Sequence, residues 1–173
     1  MKITQIQTTV DDHRIAKLAA IAIALHMVEA VIPSPIPGVK PGLANIVTLY
    51  VLYEYGFAAT AWVSILRVFA SSLLLGQFLS PTFALSLSGA VLSLAALWLG
   101  KHISKQWFGP ITLSILAAFA HIGGQLLLVR VWLIPHAGVV YLIPVFAAAA
   151  LGFGLINGMI TAKLIANKPE KPV

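Results

Sequence analysis

The chain has 173 residues, of which 60% are hydrophobic and only 9% are charged, and its mean hydropathy is +0.96. A soluble domain of this length could not bury so much apolar surface, so the composition excludes an ordinary water-soluble protein and favours a membrane protein. The net charge of +6 would favour nucleic-acid binding in a soluble protein, but here it reflects Lys and Arg at cytoplasmic span ends, so we expect no nucleic-acid partner.

Six apolar runs predict an all-α protein with about six transmembrane helices in one domain, residues 14–166, between polar segments at 1–13 and 167–173. In chain order, the predicted spans are 15–32, 43–53, 57–79, 81–100, 110–134 and 139–166. The second span is short for a full crossing, so it is either re-entrant or lengthened by its flanks. The first run could also be a signal peptide, but His26, Glu29 and the spans that follow argue against that interpretation.

The distribution of basic residues predicts the orientation of these spans. With six crossings, eight of the eleven Lys and Arg residues fall on one side of the membrane. These eight are Lys2, Arg14, Lys17, Lys101, Lys105, Lys163, Lys168 and Lys171. Because cytoplasmic loops are enriched in basic residues, both termini are predicted to be cytoplasmic. The proline-rich loop at 33–42 then faces the exterior.

Two helices carry small residues at every fourth position, a spacing that lets another helix backbone approach closely. They are Ala16, Ala20 and Ala24 on the first helix, and Ala150, Gly154, Gly158 and Ala162 on the sixth. For the sixth helix we favour packing within the chain. For the first helix, packing within the chain and docking of a partner subunit remain equally open.

Polar and ionisable side chains at membrane depth are costly, so they are candidate functional residues. Six are predicted to bind a substrate: Glu29, Lys40, Asn45, Arg67, His121 and Gln125. Four more are expected to help line the same outward-facing pocket, which the proline-rich loop would close as a lid: Ser64, Ser71, Gln77 and Tyr141.

Each candidate has a structural alternative. Glu29 and Arg67 could form a purely structural ion pair. His121 could be a hydrogen-bonded core residue. Lys40 and Arg130 could extend to lipid headgroups.

Several kinds of chemistry are missing from the sequence. The chain has no cysteine, and its only adjacent carboxylates are Asp11 and Asp12 in the polar N-terminal segment. There is no aspartate-rich Mg²⁺ motif, Walker loop, glycine-rich dinucleotide fingerprint, H-E-x-x-H motif or nucleophile elbow. We therefore expect no enzymatic activity of its own, no cofactor and no metal. Uphill transport would need energy from a partner or an ion gradient.

The stretch from Glu29 to Val47, which contains P-G-x-K-x-G-L-A-N-I, resembles the bacterial membrane proteins called heptaprenyl diphosphate synthase component I, or the Gx transporter family. Segments 64–72 and 120–126 also fit, and the resemblance covers about residues 15–166. Pro41 departs from the pattern and is expected to stiffen the loop.

The resemblance carries its own expectations. This family is similar to the substrate-binding S components of energy-coupling-factor transporters. It implies six helices, cytoplasmic termini, a bacterial cytoplasmic-membrane location, an outward pocket under the loop after helix one, and a small-residue motif that docks a transmembrane coupling protein driven by ATPases. The stripe of Ala16, Ala20 and Ala24 matches that motif.

Three functions follow from these expectations. The first is an S-component-like subunit that binds a small, anionic substrate. The second is a noncatalytic membrane component of heptaprenyl diphosphate or isoprenoid-quinone synthesis, and the third is a membrane assembly factor for a redox complex.

Overall fold

The computed structural model describes residues 8–33, 40–103 and 108–167, and these ranges contain helices and no β-strand. The six α-helices are α1 (Val10–Val31), α2 (Leu43–Glu54), α3 (Gly56–Leu74), α4 (Pro81–Ile103), α5 (Pro110–Leu128) and α6 (Ile143–Ala166). A π-helical turn, Val129–Leu133, follows α5, and a 3₁₀ segment, Ala137–Leu142, leads into α6. The prediction of an all-α bundle with six helices is confirmed.

Within the ranges that the structure describes, four segments are long and apolar enough to cross a membrane: Gly56–Leu74, Pro81–Ile103, Pro110–Leu133 and Ala137–Ala166. The predicted short second span is α2, an apolar helix of 12 residues. Helix α1 has 22 residues, but four of its first eight are charged.

The bundle buries polar residues beside its apolar core and exposes many large apolar side chains. Among the described residues, ten polar or charged ones are buried, including Arg67, Ser71 and Thr161, while large apolar side chains such as Trp62 and Leu127 are exposed. In water this arrangement would be unfavourable, but in a bilayer the apolar faces meet lipid and the polar groups meet one another. The chain is therefore a helical membrane protein.

Helix boundaries differ from the predicted spans at several ends, and two of these differences have identifiable reasons. Helix α1 begins at Val10, five residues before the predicted apolar run, because Thr9 and Asp12 form a reciprocal capping box. Helix α3 ends at Leu74 instead of continuing to residue 79, and Gly76 after it takes a left-handed backbone conformation (φ 65°). The predicted starts of α4 at Pro81 and α5 at Pro110 are confirmed.

Helix α5 packs between α4 and α6, while α1 packs on α2 and α3. Close approach depends on glycine: a Cβ on Gly154 would lie 2.9 Å from Ile115 Cα, and one on Gly158 would lie 2.6 Å from Ile111 Cα. The prediction that the small residues of α6 pack within the chain is confirmed at these two positions. Helix α2 contacts α6, and α3 contacts α4, so the two groups enclose a space between them.

Candidate functional site

A cavity of about 340 Å³ lies in that space and is lined by residues from all six helices. The six residues predicted to bind substrate all line it: Glu29, Lys40, Asn45, Arg67, His121 and Gln125. They come from three separated parts of the sequence, and the fold brings them to one cavity.

Arg67 of α3 is the buried cation of this cavity, with only 4% of its surface exposed. Its Nη1 donates a hydrogen bond to Asn45 Oδ1 at 3.0 Å, and its Nε has no hydrogen-bond partner. Glu29, which lines the same cavity, forms no ion pair with Arg67 within 4.0 Å. A buried guanidinium with an unused donor is costly, so this group favours an acceptor supplied from outside the chain.

Glu29 of α1 caps the first turn of α2 by a hydrogen bond. Its Oε1 accepts a hydrogen bond from the backbone N–H of Leu43 at 2.5 Å, and Leu43 is the first residue of α2. A carboxylate at this position satisfies a free N–H and complements the helix dipole. The alternative of a purely structural Glu29–Arg67 pair is therefore wrong: Arg67 is oriented by Asn45 instead.

The segment from Lys40 to Gly42 is held from the opposite side by α6. Asn157 Nδ2 donates to Pro41 O at 2.9 Å and to Gly42 O at 3.2 Å. Gly42 has a positive φ of 72°, and a Cβ there would lie 3.0 Å from Asn45 Nδ2. Lys40 is exposed and lines the cavity, so it lies at the rim. Most of the predicted lid, residues 34–39, lies outside the described residues.

His121 and Gln125 form the predicted pair one turn apart on α5, since Gln125 Nε2 lies 3.3 Å from His121 Nε2. The other ring nitrogen, Nδ1, is buried and has no hydrogen-bond partner. Helix α4 approaches the ring closely, because a Cβ on Gly89 would lie 2.8 Å from His121 Cε1. The ring is therefore held in place between α4 and Gln125.

Four other predictions about the cavity lining are wrong. Gln77, Tyr141, Ser64 and Ser71 are not among the residues that line it. Gln77 follows the end of α3, and Tyr141 is 85% exposed on the 3₁₀ segment, whose three residues per turn rotate it away from the α-helical face. Ser71 instead donates to the backbone carbonyl of Arg67.

Sequence reasoning missed several polar residues of the cavity: His26, Thr82, Ser86 and Asn157. His26 lines it one turn before Glu29 on α1, and Asn157 lines it on α6. The spacing of His26 and Glu29, three residues apart on one helix face, was a usable signal for the first. For Asn157, an amide inside an apolar helix predicts only an interhelical hydrogen bond.

The small-residue stripe of α1 faces away from the cavity. Ala16, Ala20 and Ala24 are exposed, whereas Ala19 and Ala22 are buried against α2 and α3. Within the described part of the chain, the stripe is therefore open to another helix. In the same ranges, no group of three or more His, Cys, Asp or Glu residues could hold a metal ion.

The sequence model of the heptaprenyl diphosphate synthase component I family matches residues 18–164 of the 173 residues in the chain. The comparisons with curated proteins and with solved structures give no match. The matched range begins within α1 and ends within α6, so it contains every residue of the cavity.

Proposed function

The chain belongs to the heptaprenyl diphosphate synthase component I family, and from that premise we propose that it is the membrane-embedded binding subunit of a transporter for a small anionic molecule. Its location would be the bacterial cytoplasmic membrane. The observation that carries the proposal is Arg67, a buried cation that lines the cavity. Its Nε has no hydrogen-bond partner, and it forms no ion pair with the cavity's own carboxylate.

The cavity residues have different roles in substrate binding. Arg67 and Lys40 supply positive charge to the anionic part of the substrate, one at depth and one at the rim. Asn45 orients Arg67, and His121 and Gln125 offer hydrogen bonds. Glu29 fixes the start of α2 and, through it, the position of Asn45. The loop at 33–42 would act as the lid.

Transport against a gradient needs energy that this chain has no recognised motif to obtain from ATP. We propose that the exposed stripe of Ala16, Ala20 and Ala24 docks a transmembrane coupling protein driven by ATPases. Small residues permit close helix contact, and the stripe points away from the cavity, so a partner could bind without blocking the substrate.

Substrate uptake in cells and ligand identification on the purified protein test the proposal. Mass spectrometry of the protein extracted in mild detergent should detect a bound anion. Single substitutions Lys40→Gln, Arg67→Gln and His121→Ala should each reduce its recovery or uptake, while Arg130→Gln, which lies outside the cavity, should not. Unchanged binding in all three cavity variants would refute the proposal.

The family description favours a second candidate, a noncatalytic membrane component of heptaprenyl diphosphate synthesis. This candidate requires that the chain is not itself an enzyme, and the family description agrees, because it names one component of a synthase. This candidate predicts co-purification with a soluble, aspartate-rich prenyl synthase and an empty cavity. Recovery of a coupling protein with ATPases would favour transport instead.

A further inference from the structure

The cavity has two chemically different walls. Its polar wall comes from α1, the start of α2 and α3, and it presents the hydrophilic residues His26, Glu29, Lys40, Asn45 and Arg67. The other wall comes from the end of the 3₁₀ segment and from α6, and down to Asn157 it is entirely apolar: Leu142, Phe146, Ala149, Ala150 and Phe153. Helix α5 lies between them and contributes both kinds of residue.

The apolar wall is a single helical face. Phe146, Ala149, Ala150 and Phe153 recur with a spacing of three or four residues, which is the period of one side of an α-helix. Two alanines lie between two phenylalanines along this face, so the wall has a recess with aromatic edges. Ile122 and Leu126 of α5 and Leu85 of α4 extend the apolar surface, while Thr82 and Ser86 of α4 add hydroxyl groups to the lining.

These walls constrain a ligand in opposite ways. A fully hydrophilic anion would satisfy Arg67 but would place its other polar groups against Phe146, Phe153 and the alanines, where they lose hydrogen bonds to water. A neutral apolar molecule would match α6 but would leave the Arg67 guanidinium buried and unpaired. Only a ligand with one anionic end and an apolar body satisfies both walls.

We propose that the substrate is a compact amphiphilic anion, in which one carboxylate or phosphate group binds Arg67 and Lys40 and an apolar body lies against α6. The inference rests on the proposed function, because it treats this cavity as the substrate site. The volume of about 340 Å³ is near the lower end of ligand pockets, which span roughly 300–1,000 Å³, so the body is short compared with a membrane lipid chain.

The test uses the full chain in nanodiscs with octanoate and octyl phosphate as labelled probes, and empty nanodiscs to subtract partitioning into lipid. Acetate and inorganic phosphate are the matched anions without an apolar body, and octanol and octylamine lack the anionic end. Octanoate or octyl phosphate should bind saturably. Acetate and inorganic phosphate should compete at least about tenfold more weakly, because they have no apolar chain to transfer from water into the cavity. Comparing the two probes identifies the headgroup.

A matched pair of variants tests the apolar wall. Ala149→Phe fills the recess and should weaken binding of the octyl anion by roughly tenfold or more. Ala148→Phe places the same ring on the exposed side of α6, outside the cavity, and should leave binding unchanged. Chromatographic monodispersity shows that both variants fold.

The outcomes separate the two proposals. If acetate or phosphate binds as tightly as the octyl anions and Ala149→Phe has no effect, the amphiphile inference is wrong and the anion site remains. If octanol or octylamine competes as well as octanoate, the inference that the ligand needs an anionic group is wrong. If no anion binds in a way that Lys40→Gln or Arg67→Gln weakens, the inference and the proposed function both fail.

Discussion

Arg67 of α3 donates a hydrogen bond across the helix interface to Asn45 of α2, with 3.0 Å between Nη1 and Oδ1. The partner is a neutral amide, so the hydrogen bond orients the guanidinium without neutralising its charge. A carboxylate in place of Asn45 would satisfy the cation permanently. The choice of an amide at this position leaves the charge of Arg67 available for an anion.

Asn45→Asp is therefore predicted to separate stability from binding. The new carboxylate would lie beside Arg67 and form a buried ion pair, so the thermal unfolding temperature should stay the same or rise, while anion affinity should fall by about tenfold or more. Asn45→Ala is the control. It removes the acceptor and should cost about 1–3 kcal/mol of unfolding free energy. Calorimetry and ligand binding on both variants check this, and undiminished anion binding by Asn45→Asp would contradict the role of Arg67.

Asn157→Ala should make the segment before α2, at the rim of the cavity, less stable. The substitution removes the hydrogen bonds to the half-buried Pro41 and Gly42 carbonyls, and the Gly42 carbonyl keeps the backbone N–H of Asn45 as a partner, so the cost should be about 0.5–1.5 kcal/mol. Thermal unfolding in detergent measures the cost, and faster hydrogen exchange at residues 40–45 would localise it. Asn167→Ala, at the exposed end of α6, is the control. Unchanged exchange at the rim would show that Asn157 does not hold this segment.

Two glycines of α6 offer a matched test of helix packing. Gly158→Ala should destabilise the bundle by about 1–3 kcal/mol, because its Cβ would come within 2.6 Å of the Ile111 backbone. Gly152→Ala has nothing within 4 Å of its new Cβ, so it should be neutral or stabilise the helix by up to about 1 kcal/mol. Thermal unfolding of the two variants checks the difference, and equal stabilities would contradict the α5–α6 interface.

The partner surface on α1 can be tested with Ala20→Leu. Ala20 is exposed, so the larger side chain should leave thermal stability within about 0.5 kcal/mol of the parent protein. It should nevertheless block close helix contact and reduce co-purification with a coupling protein. Ala58→Leu, on an exposed position of α3, makes the same change elsewhere. Equal recovery of the coupling protein with both variants would rule out docking through the stripe.

The start of α1 should depend on pH through Asp12, which precedes the apolar run. Hydrogen bonds from the Thr9 backbone N–H and hydroxyl hold the pKa of Asp12 below its ordinary value of 3.8. A lowered pKa contributes stability above the ordinary pKa, and this contribution disappears as the pH falls through the lower folded value. The protection of the first-turn amides, measured as the exchange rate relative to the intrinsic rate at each pH, should therefore fall below about pH 3.8 in the parent protein, whereas in Asp12→Asn it should be low at every pH. A pH-independent first turn in the parent would contradict the capping box.

Much of the cavity could be predicted because the bilayer makes polar residues informative. Arg67, His121 and Gln125 lie in strongly apolar surroundings in the sequence, so each needed a partner, a cavity or a ligand. Asn157 was harder to interpret, since an amide inside an apolar helix predicts a hydrogen bond but not which carbonyl accepts it. Gln77 and Tyr141 were placed wrongly because their positions depend on where α3 ends and on a 3₁₀ turn, which periodicity does not reveal.

The amino-acid sequence by itself determined that this chain is a helical membrane protein with its ionisable groups hidden from lipid. The length of the apolar runs matches the thickness of a bilayer, and inside lipid a helix satisfies the polar groups of its own backbone. Only the tertiary structure decided that Glu29 caps α2 instead of pairing with Arg67. It also decided that α6 presents an apolar wall to the polar residues of α1, α2 and α3. Such choices depend on distances of a few ångströms between helices far apart in the chain, and no local pattern encodes them.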